Sequence, residues 1–459
     1  MAAAQAASEA DALPLKRFLG YGLGDFAFNF YWLPLQVFLL KYYTDVLGLD
    51  SGTAGLITMV CLLWDGLVDP YVGLLASRTR SRFGRYRPYM LFGSVPLAAS
   101  FCLVFLPVDF EGPGLVAYAL ATQLLFRTAY AAVNIPYGAM MASMTRNSME
   151  RNWLAGVRML FAFAGSAVVG YLTPRLVMQV GVVHPQAAHF IAAVILSGVA
   201  SVVLFACFAS TAEPRRFENV AQRSLPLRDV LGMILSNRPF LQVAGGIALF
   251  GFANTVHMAS VAYYVQYVLE QDDSVTGSLV GLIPFVQMLA ILPWTVLSRW
   301  LGKRTAWIAG LLLAAVALLA LLLIERPGVP EVFALAALAA LASLGYAAIA
   351  VNFWSMVPDT VEFGEWRSGI RAEGFVFGLM TLIQKAALGA SSAFVGLYLG
   401  WVGYVPNVAQ AESTRDGLKY LLSVVPACGL LASCAVLLFY RLNAQTHAQL
   451  VRDIEARAS

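Results

Sequence analysis

Ala306-Trp-Ile-Ala-Gly-Leu-Leu-Leu-Ala-Ala-Val-Ala-Leu-Leu-Ala-Leu-Leu-Leu-Ile324 contains no charged side chain, and Lys303-Arg304 and Glu325-Arg326 bracket it. A helix needs about 20 apolar residues to cross the hydrocarbon of a bilayer, so this stretch reads as a membrane span. Outward from it, eleven further stretches of similar character complete a set of twelve: 18–40, 52–76, 89–107, 114–144, 153–180, 188–210, 240–268, 274–298, 305–324, 331–357, 373–401 and 417–441. The whole chain agrees with that reading. Of its 459 residues 59% are hydrophobic and 12% charged, with a mean hydropathy of +0.72. A soluble domain is about a quarter charged, so this composition excludes a secreted disulfide scaffold, a nucleic-acid module and a disordered tail. The expected class is an all-α integral membrane protein, multi-pass in the cell membrane. Cys61, Cys102, Cys207, Cys428 and Cys434 all fall in apolar stretches and are expected to be buried small side chains, with no bearing on redox compartment.

The basic residues orient the chain. Of 30 Lys and Arg, 22 fall on the side of the termini and of the even-numbered connections. Five (Lys41, Arg175, Arg326, Arg415, Lys419) fall on the other, and Arg127, Arg158 and Lys385 lie within spans. This bias places both termini in the cytoplasm. Residues 1–17 carry Glu9 and Asp11 and no apolar core before Lys16-Arg17, so they read as a cytoplasmic tail and not a cleaved signal, with 442–459 as the opposite tail. The longest connection, 211–239, is charged (Arg215, Arg216, Glu218, Arg223, Arg228, Asp229). It divides the chain into six-span halves, 18–210 and 240–441. Its Leu225–Ile234 segment has the pattern of an amphipathic helix lying on the membrane face. Ser81-Arg-Phe-Gly-Arg-Tyr-Arg87 after the second span and Ser298-Arg-Trp-Leu-Gly-Lys-Arg304 after the eighth occupy equivalent places in the two halves, as two parallel repeats require.

Charges inside spans cost roughly 2.5–3.5 kcal/mol each on insertion scales, so each implies a partner, a cavity or a function. Asp65 and Asp69 in Trp64-Asp-Gly-Leu-Val-Asp-Pro70 share a helix face one turn apart. Two carboxylates that close repel unless they share a cation, a proton or a basic partner. They form the candidate cation site, with sodium as one candidate ion. For Asp69 the alternative is a simple pairing at the span's end with the arginines of 78–87. Lys385, deep in the eleventh span, is the natural counter-charge; it would link the halves, and arrival of a cation or proton would weaken that link. Arg158, Tyr130, Asn134 and Asn29 are candidate donors to a hydroxylated or anionic ligand, against the ordinary reading of the asparagines as interhelical hydrogen bonds. Asp25 reads as a ligand acceptor or an arginine's partner, and Gln384 and Trp354 join the candidate substrate set. Arg127, next to purely apolar Leu124–Phe126, reads as structural, and His257 as a polar contact more readily than a proton shuttle.

With these residues stand Gly20-Tyr-Gly-Leu-Gly-Asp-Phe26, Tyr42-Tyr-Thr-Asp45, Thr79-Arg-Ser-Arg-x-Gly84, Asn134-Ile-Pro-Tyr-Gly138, Asp359-Thr-Val-Glu-Phe-Gly-Glu-Trp366, Arg371-Ala-Glu-Gly374 and Gly403-Tyr-Val-Pro-Asn407. In this order, from Gly20 to about Arg441, the chain closely resembles the glycoside-pentoside-hexuronide:cation symporters, the major facilitator branch of the melibiose and glucuronide permeases. The resemblance implies the major facilitator fold, two six-helix bundles around a central cavity that opens alternately to either side. It implies cation-coupled sugar symport, with Asp65, Asp69, Lys385 and Thr381 at the cation site and Arg158 near the family's fifth-span arginine. Asn29 and Asn134 stand where galactoside-binding members carry aspartates. That departure argues against a melibiose-like galactoside and leans toward a hexuronide or other glycoside. Val68 and Ala131 replace an asparagine and a threonine of sodium-using members, which favours a proton over sodium. No cofactor is expected beyond the coupling ion. The expected partners are a sugar, that cation and lipid, with no nucleic acid, and the chain is expected to be a monomer. A lipid or lysolipid symporter on the same fold is the alternative. A membrane enzyme is disfavoured because no HExxH or Walker loop occurs, and a channel because the halves are pseudo-equivalent.

Overall fold

A computed structural model describes residues 14–144, 148–184, 186–212, 227–323, 329–369, 373–442 and 444–458, and every regular element among them is helical. Glu9, Asp11, Arg215, Arg216, Glu218, Arg223, Arg326 and the Arg371-Ala372 pair lie outside the described residues. The helices that carry the argument are α1 Leu15–Val37, α2 Ser51–Arg78, α3 Arg87–Val104, α4 Gly112–Met144, α5 Ser148–Gly181, α6 Ala188–Ser210, α7 Arg238–Tyr267, α8 Asp273–Leu301, α9 Lys303–Ala320, α10 Val329–Ser368, α11 Glu373–Trp401 and α12 Val424–Leu438. Among the described residues, ten helical stretches are long and apolar enough to cross a membrane. They fall on all of this set but α1 and α4, whose sequences carry Asp25 and Asn29, and Arg127 and Asn134.

Starts and stops follow local chemistry. The Asp50 carboxylate caps α2 by accepting from Thr53 N at 2.9 Å, and Asp272 caps α8 by accepting from the amides of Ser274 and Val275. α1 ends through a short helical turn into a π-helical segment, Tyr42–Val46. Two elements differ from the sequence reading. α10 continues beyond position 357 to Ser368, and its extension packs with the helix Ala444–Ala458, which forms within the C-terminal tail. There His447 Nε2 meets Glu362 Oε2 and lies 3.7 Å from Asp359 Oδ1, Trp366 Nε1 donates to Asp453 Oδ2 at 3.3 Å, and Lys303 Nζ pairs with Asp359 Oδ2 at 2.7 Å. The expected amphipathic helix is present as Leu227–Ser236, with Met233 and Ile234 buried and Leu235 exposed. Cys428 is a correction: it is exposed, because it lies on a face of α12 that no neighbouring helix among the described residues covers, and Cys102 is only half-buried.

Packing repeats with a period of six helices. α1 packs on α5 and α6, α2 on α4, and α3 on α4 and α6; α7 packs on α11 and α12, α8 on α10, and α9 on α10 and α12. The two sets meet along α2–α11 and α5–α8, a pair of contacts that the same offset exchanges. Both approach backbone to backbone. A Cβ on Gly396 of α11 would lie 2.1 Å from the Ser51 carbonyl oxygen, and one on Gly281 of α8 would lie 2.9 Å from that of Ala167. These contacts are in the helix halves far from the arginine-rich loops. On that side Lys41 pairs with Asp273 at 3.1 Å and Arg175 donates to Ser278 Oγ at 2.8 Å. The Asp45 carboxylate accepts from Tyr267 and Tyr404, each at 2.6 Å, while Asn407 Nδ2 donates to the Asp45 carbonyl at 2.7 Å. The molecule is therefore latched shut on the side opposite its basic loops.

Candidate functional site

At the α2–α11 contact the four-residue spacing of Asp65 and Asp69 aims both carboxylates at Lys385. Its ammonium lies 3.0 Å from Asp65 Oδ2 and donates a hydrogen bond to Asp69 Oδ2. Asp65 is completely buried. A second cation reaches it from α4: Arg127 Nη1 stands 3.8 Å from Asp65 Oδ2, and the guanidinium lies over the Trp32 ring, 5.3 Å from its centroid. Neither Asp65 oxygen has a hydrogen-bond partner in good geometry among the described residues, nor have Arg127 Nε and Nη1. Charge, more than directed hydrogen bonds, holds Asp65. At an effective dielectric of about 20 one unit pair ~4 Å apart is worth roughly 4 kcal/mol, so loss of either partner is strongly felt. Two carboxylates face two fixed cations. Thr381, one turn before Lys385, donates its hydroxyl to the Phe377 carbonyl at 3.1 Å. Val68 and Ala131 add no side-chain oxygen.

A second polar cluster lies within the first half. Arg158 grips Asp25 with two hydrogen bonds, Nε to Oδ2 at 2.6 Å and Nη2 to Oδ1 at 3.2 Å. Tyr137 donates to Asp25 Oδ2 at 2.7 Å, and the guanidinium lies 5.1 Å from the Tyr137 ring centroid. Of the two roles open to Asp25, the arginine's partner is the one found. Arg158 is correspondingly committed within the protein, where the sequence reading has it as a donor to an anionic ligand. Asn29 makes one interhelical bond, its Oδ1 accepting from Ser166 at 2.6 Å, while its Nδ2 donates within α1 to the Asp25 carbonyl at 2.8 Å.

Other members of the candidate substrate set keep polar groups uncommitted. Tyr130 packs its ring among Phe28, Trp32 and Phe126 at 5.5–6.0 Å between centroids. Asn134, one turn on, is half-buried and has no side-chain hydrogen bond among the described residues. From the other half, Trp354 is 42% exposed and its ring is parallel to that of Phe377, and Gln384 is half-buried beside Lys385. His257 is buried with Nδ1 3.3 Å from the Leu422 carbonyl, the packing contact expected of it. Tyr137, Tyr404 and Asn407 stand in the quoted motifs, but nothing in the sequence alone gives them a role. The Asp65 contact of Arg127 has no sequence signal, because nothing near Arg127 in the chain names a partner.

One outcome follows from the Asp25–Arg158 geometry. Asp25→Asn and Arg158→Gln should each lower thermal stability, and the double variant should lose less than their sum by about 1–3 kcal/mol, the coupling of groups in one network. Unfolding of the four purified proteins reads this directly. Additive losses would show that the two groups do not act as a pair.

Comparisons with known proteins agree with the fold. The family described as MFS/sugar transport protein matches residues 20–444. The uncharacterized symporter YnaJ of Bacillus subtilis (strain 168) is 32% identical, over 96% of this chain and 94% of its own. The putative glycoside/cation symporter YagG of Escherichia coli (strain K12) is 31% identical, over 94% and 93%. The isoprimeverose transporter of Lactiplantibacillus pentosus is 28% identical, over 97% and 92%. Among solved structures, a bacterial homologue of the human drug peptide transporters PepT1 and PepT2 superimposes with a TM-score of 0.68 at 12% identity, covering 96% of this chain and 99% of that one, which establishes the fold alone. A latched pair of six-helix repeats, a buried charge centre between them and a family match over nearly the whole length lead to one conclusion: the chain is a multi-pass membrane transporter, not an enzyme, and belongs to the MFS/sugar transport protein family.

Proposed function

We propose that the chain is a cation-coupled sugar symporter that works by alternating access and is driven by protons in preference to sodium. The observation that carries this reading is Lys385 of one half held between Asp65 and Asp69 of the other. A cation that neutralises a carboxylate there weakens the tie between α2 and α11. Binding of the coupling ion thus changes the equilibrium between the two openings, which is the differential interaction that ligand-driven switching requires. Residues 18–210 and 240–441 act as the rocking halves, with both termini in the cytoplasm and the Asp45 latch on the outer face. The lack of side-chain oxygens at Val68 and Ala131 supports the proton.

For the substrate, Tyr130, Asn134, Trp354, Gln384 and Lys385 supply aromatic faces and hydrogen-bond donors suited to a hydroxylated ring. The commitment of Arg158 to Asp25 removes the fixed charge that would select a hexuronate, so a neutral glycoside or pentoside is favoured. The names of the glycoside/cation symporter and isoprimeverose transporter among the relatives support the same class.

The test follows external pH in lightly buffered, right-side-out vesicles after adding each of a panel of glycosides, pentosides and hexuronides, with and without sodium. Sugar-triggered alkalinisation without sodium is the expected result. Uptake of labelled sugar only in sodium reverses the ion assignment. Silence toward every sugar, with uptake of a lysolipid, replaces the substrate class.

A further inference from the structure

The charge centre contains one cation more than a lysine-gated carboxylate pair requires. Arg127 is buried to 3% exposure and comes from α4, so it stays with Asp65 and Asp69 on the first half when α11 and Lys385 move. Its only carboxylate contact among the described residues is Asp65 Oδ2 at 3.8 Å, its ring contact is Trp32, and its Nε and Nη1 have no hydrogen-bond partner. The other charged groups facing this space are Asp69 of α2 and Lys385 of α11. A guanidinium cannot lose its charge inside a protein. It therefore places a permanent positive charge against the buried carboxylate that a metal cation would need.

We propose that Arg127 is a tethered cation that takes the place of sodium at Asp65, and that it sets the ion selectivity of the transporter against sodium. With Arg127 and Lys385 present the centre is neutral, and an added sodium ion brings an uncompensated charge into a buried space where two fixed cations repel it; a proton adds the same charge but is held by a covalent bond to one carboxylate oxygen and needs no ligand shell. The surroundings offer little to offset that repulsion: hard cations want several oxygen ligands, Val68 and Ala131 provide none, and Thr381, whose hydroxyl hydrogen goes to the Phe377 carbonyl, adds a single hydroxyl oxygen. Removing the guanidinium leaves Lys385 alone against two carboxylates, a net negative pocket that a small cation can fill. This inference rests on the reading of Asp65, Asp69 and Lys385 as the coupling centre, and it adds to that reading the residue that decides which ion is admitted.

The experiment measures saturable binding of radioactive sodium, and sodium-dependent thermal stabilisation against choline, on the purified full-length protein. The wild type is expected to show neither. Arg127→Gln is expected to gain both, with a sodium stimulation of sugar uptake on the order of tenfold, well inside what the loss of one near charge allows. Arg127→Lys keeps the charge and stays indifferent to sodium, which a merely structural role for the side chain would not predict. Saturable sodium binding by the wild type overturns the proposal and needs no variant to fold. A folded Arg127→Gln that gains no sodium binding overturns it as well, and Arg127→Met stands in should the glutamine variant fail to fold. The location of the centre is read separately: adding Asp65→Asn to Arg127→Gln should abolish the acquired binding. Binding that persists there would place sodium elsewhere and fail the coupling-centre reading, whereas proton movement in vesicles tests the proton assignment by itself.

Discussion

Asp65→Asn should abolish accumulation of substrate against a gradient, leaving at most equilibration. The change is nearly isosteric, so its effect is one of charge. Asp65 is wholly buried with Lys385 3.0 Å and Arg127 3.8 Å from the same oxygen. Without its carboxylate the centre holds two cations against Asp69 alone, and breaking a buried pair by removing one partner costs about 3–5 kcal/mol. Lys385 then has a single anchor on α2, and the ion that would compete for Asp65 has no site. Two measurements separate the electrostatic cost from the coupling role. Thermal unfolding should show the loss of stability, and Asp65→Asn/Arg127→Gln, which restores the balance of charge, should recover much of it. Accumulation should remain absent in that double variant because the carboxylate is still missing. Full accumulation by Asp65→Asn would remove Asp65 from the coupling centre, whatever its contribution to stability.

The parts of this protein legible in its sequence are those in which one helix carries the whole signal. The nineteen uncharged residues 306–324 announce a span because a bilayer acts on each helix separately. Asp65, Asp69 and Lys385 stand out because a charge in an apolar run demands an explanation. Periodicity places a residue on its own helix's face but says nothing of the helix opposite. Arg127 therefore read as structural until α2 was seen beside α4, and Arg158 read as open to ligand until α1 delivered Asp25 to it. The latch was harder still. Asp45 sits in a π-helical turn and Asn407 in a loop with φ of 60°, segments without a hydrophobic period. The tail helix 444–458 escaped notice because its partners, Glu362 and Trp366, are some 85 residues earlier in the chain. Cys428 shows the same limit in reverse: an apolar neighbourhood in sequence does not distinguish helix packing from lipid.

The α2–α11 contact yields the other large expected effect: Gly396→Val should trap the transporter open on the side opposite its basic loops. At Gly396 a Cβ would lie 2.1 Å from the Ser51 carbonyl oxygen and 3.0 Å from the Gly55 Cα, and at Gly55 one would lie 2.6 Å from the Ser392 carbonyl oxygen. These neighbours are backbone, which cannot rotate away as a side chain can. The closed arrangement must therefore separate the helices locally, and overpacking of this kind costs about 1–3 kcal/mol. The opposite arrangement, in which α2 and α11 part at this end, suffers no such clash. A difference of that size shifts the ratio of the two states by roughly 5–150-fold, enough to leave one of them scarce. The latch at Asp45, Tyr267 and Tyr404 would then have to hold the closed state against the wedge without its supporting helix contact. In an otherwise cysteine-free protein, a cysteine at Val177, which lines a cavity walled in part by the latch residues Lys41, Asp45, Asp273 and Asn407, reports the outcome. Its labelling by an impermeant maleimide from outside should rise in Gly396→Val while net uptake falls by an order of magnitude or more. Gly396→Ala should show the same changes to a smaller degree, since its single methyl wedges the helices less. Normal uptake with unchanged labelling in the valine variant would mean that the glycine contact is packing alone, and that the gate lies in the latch.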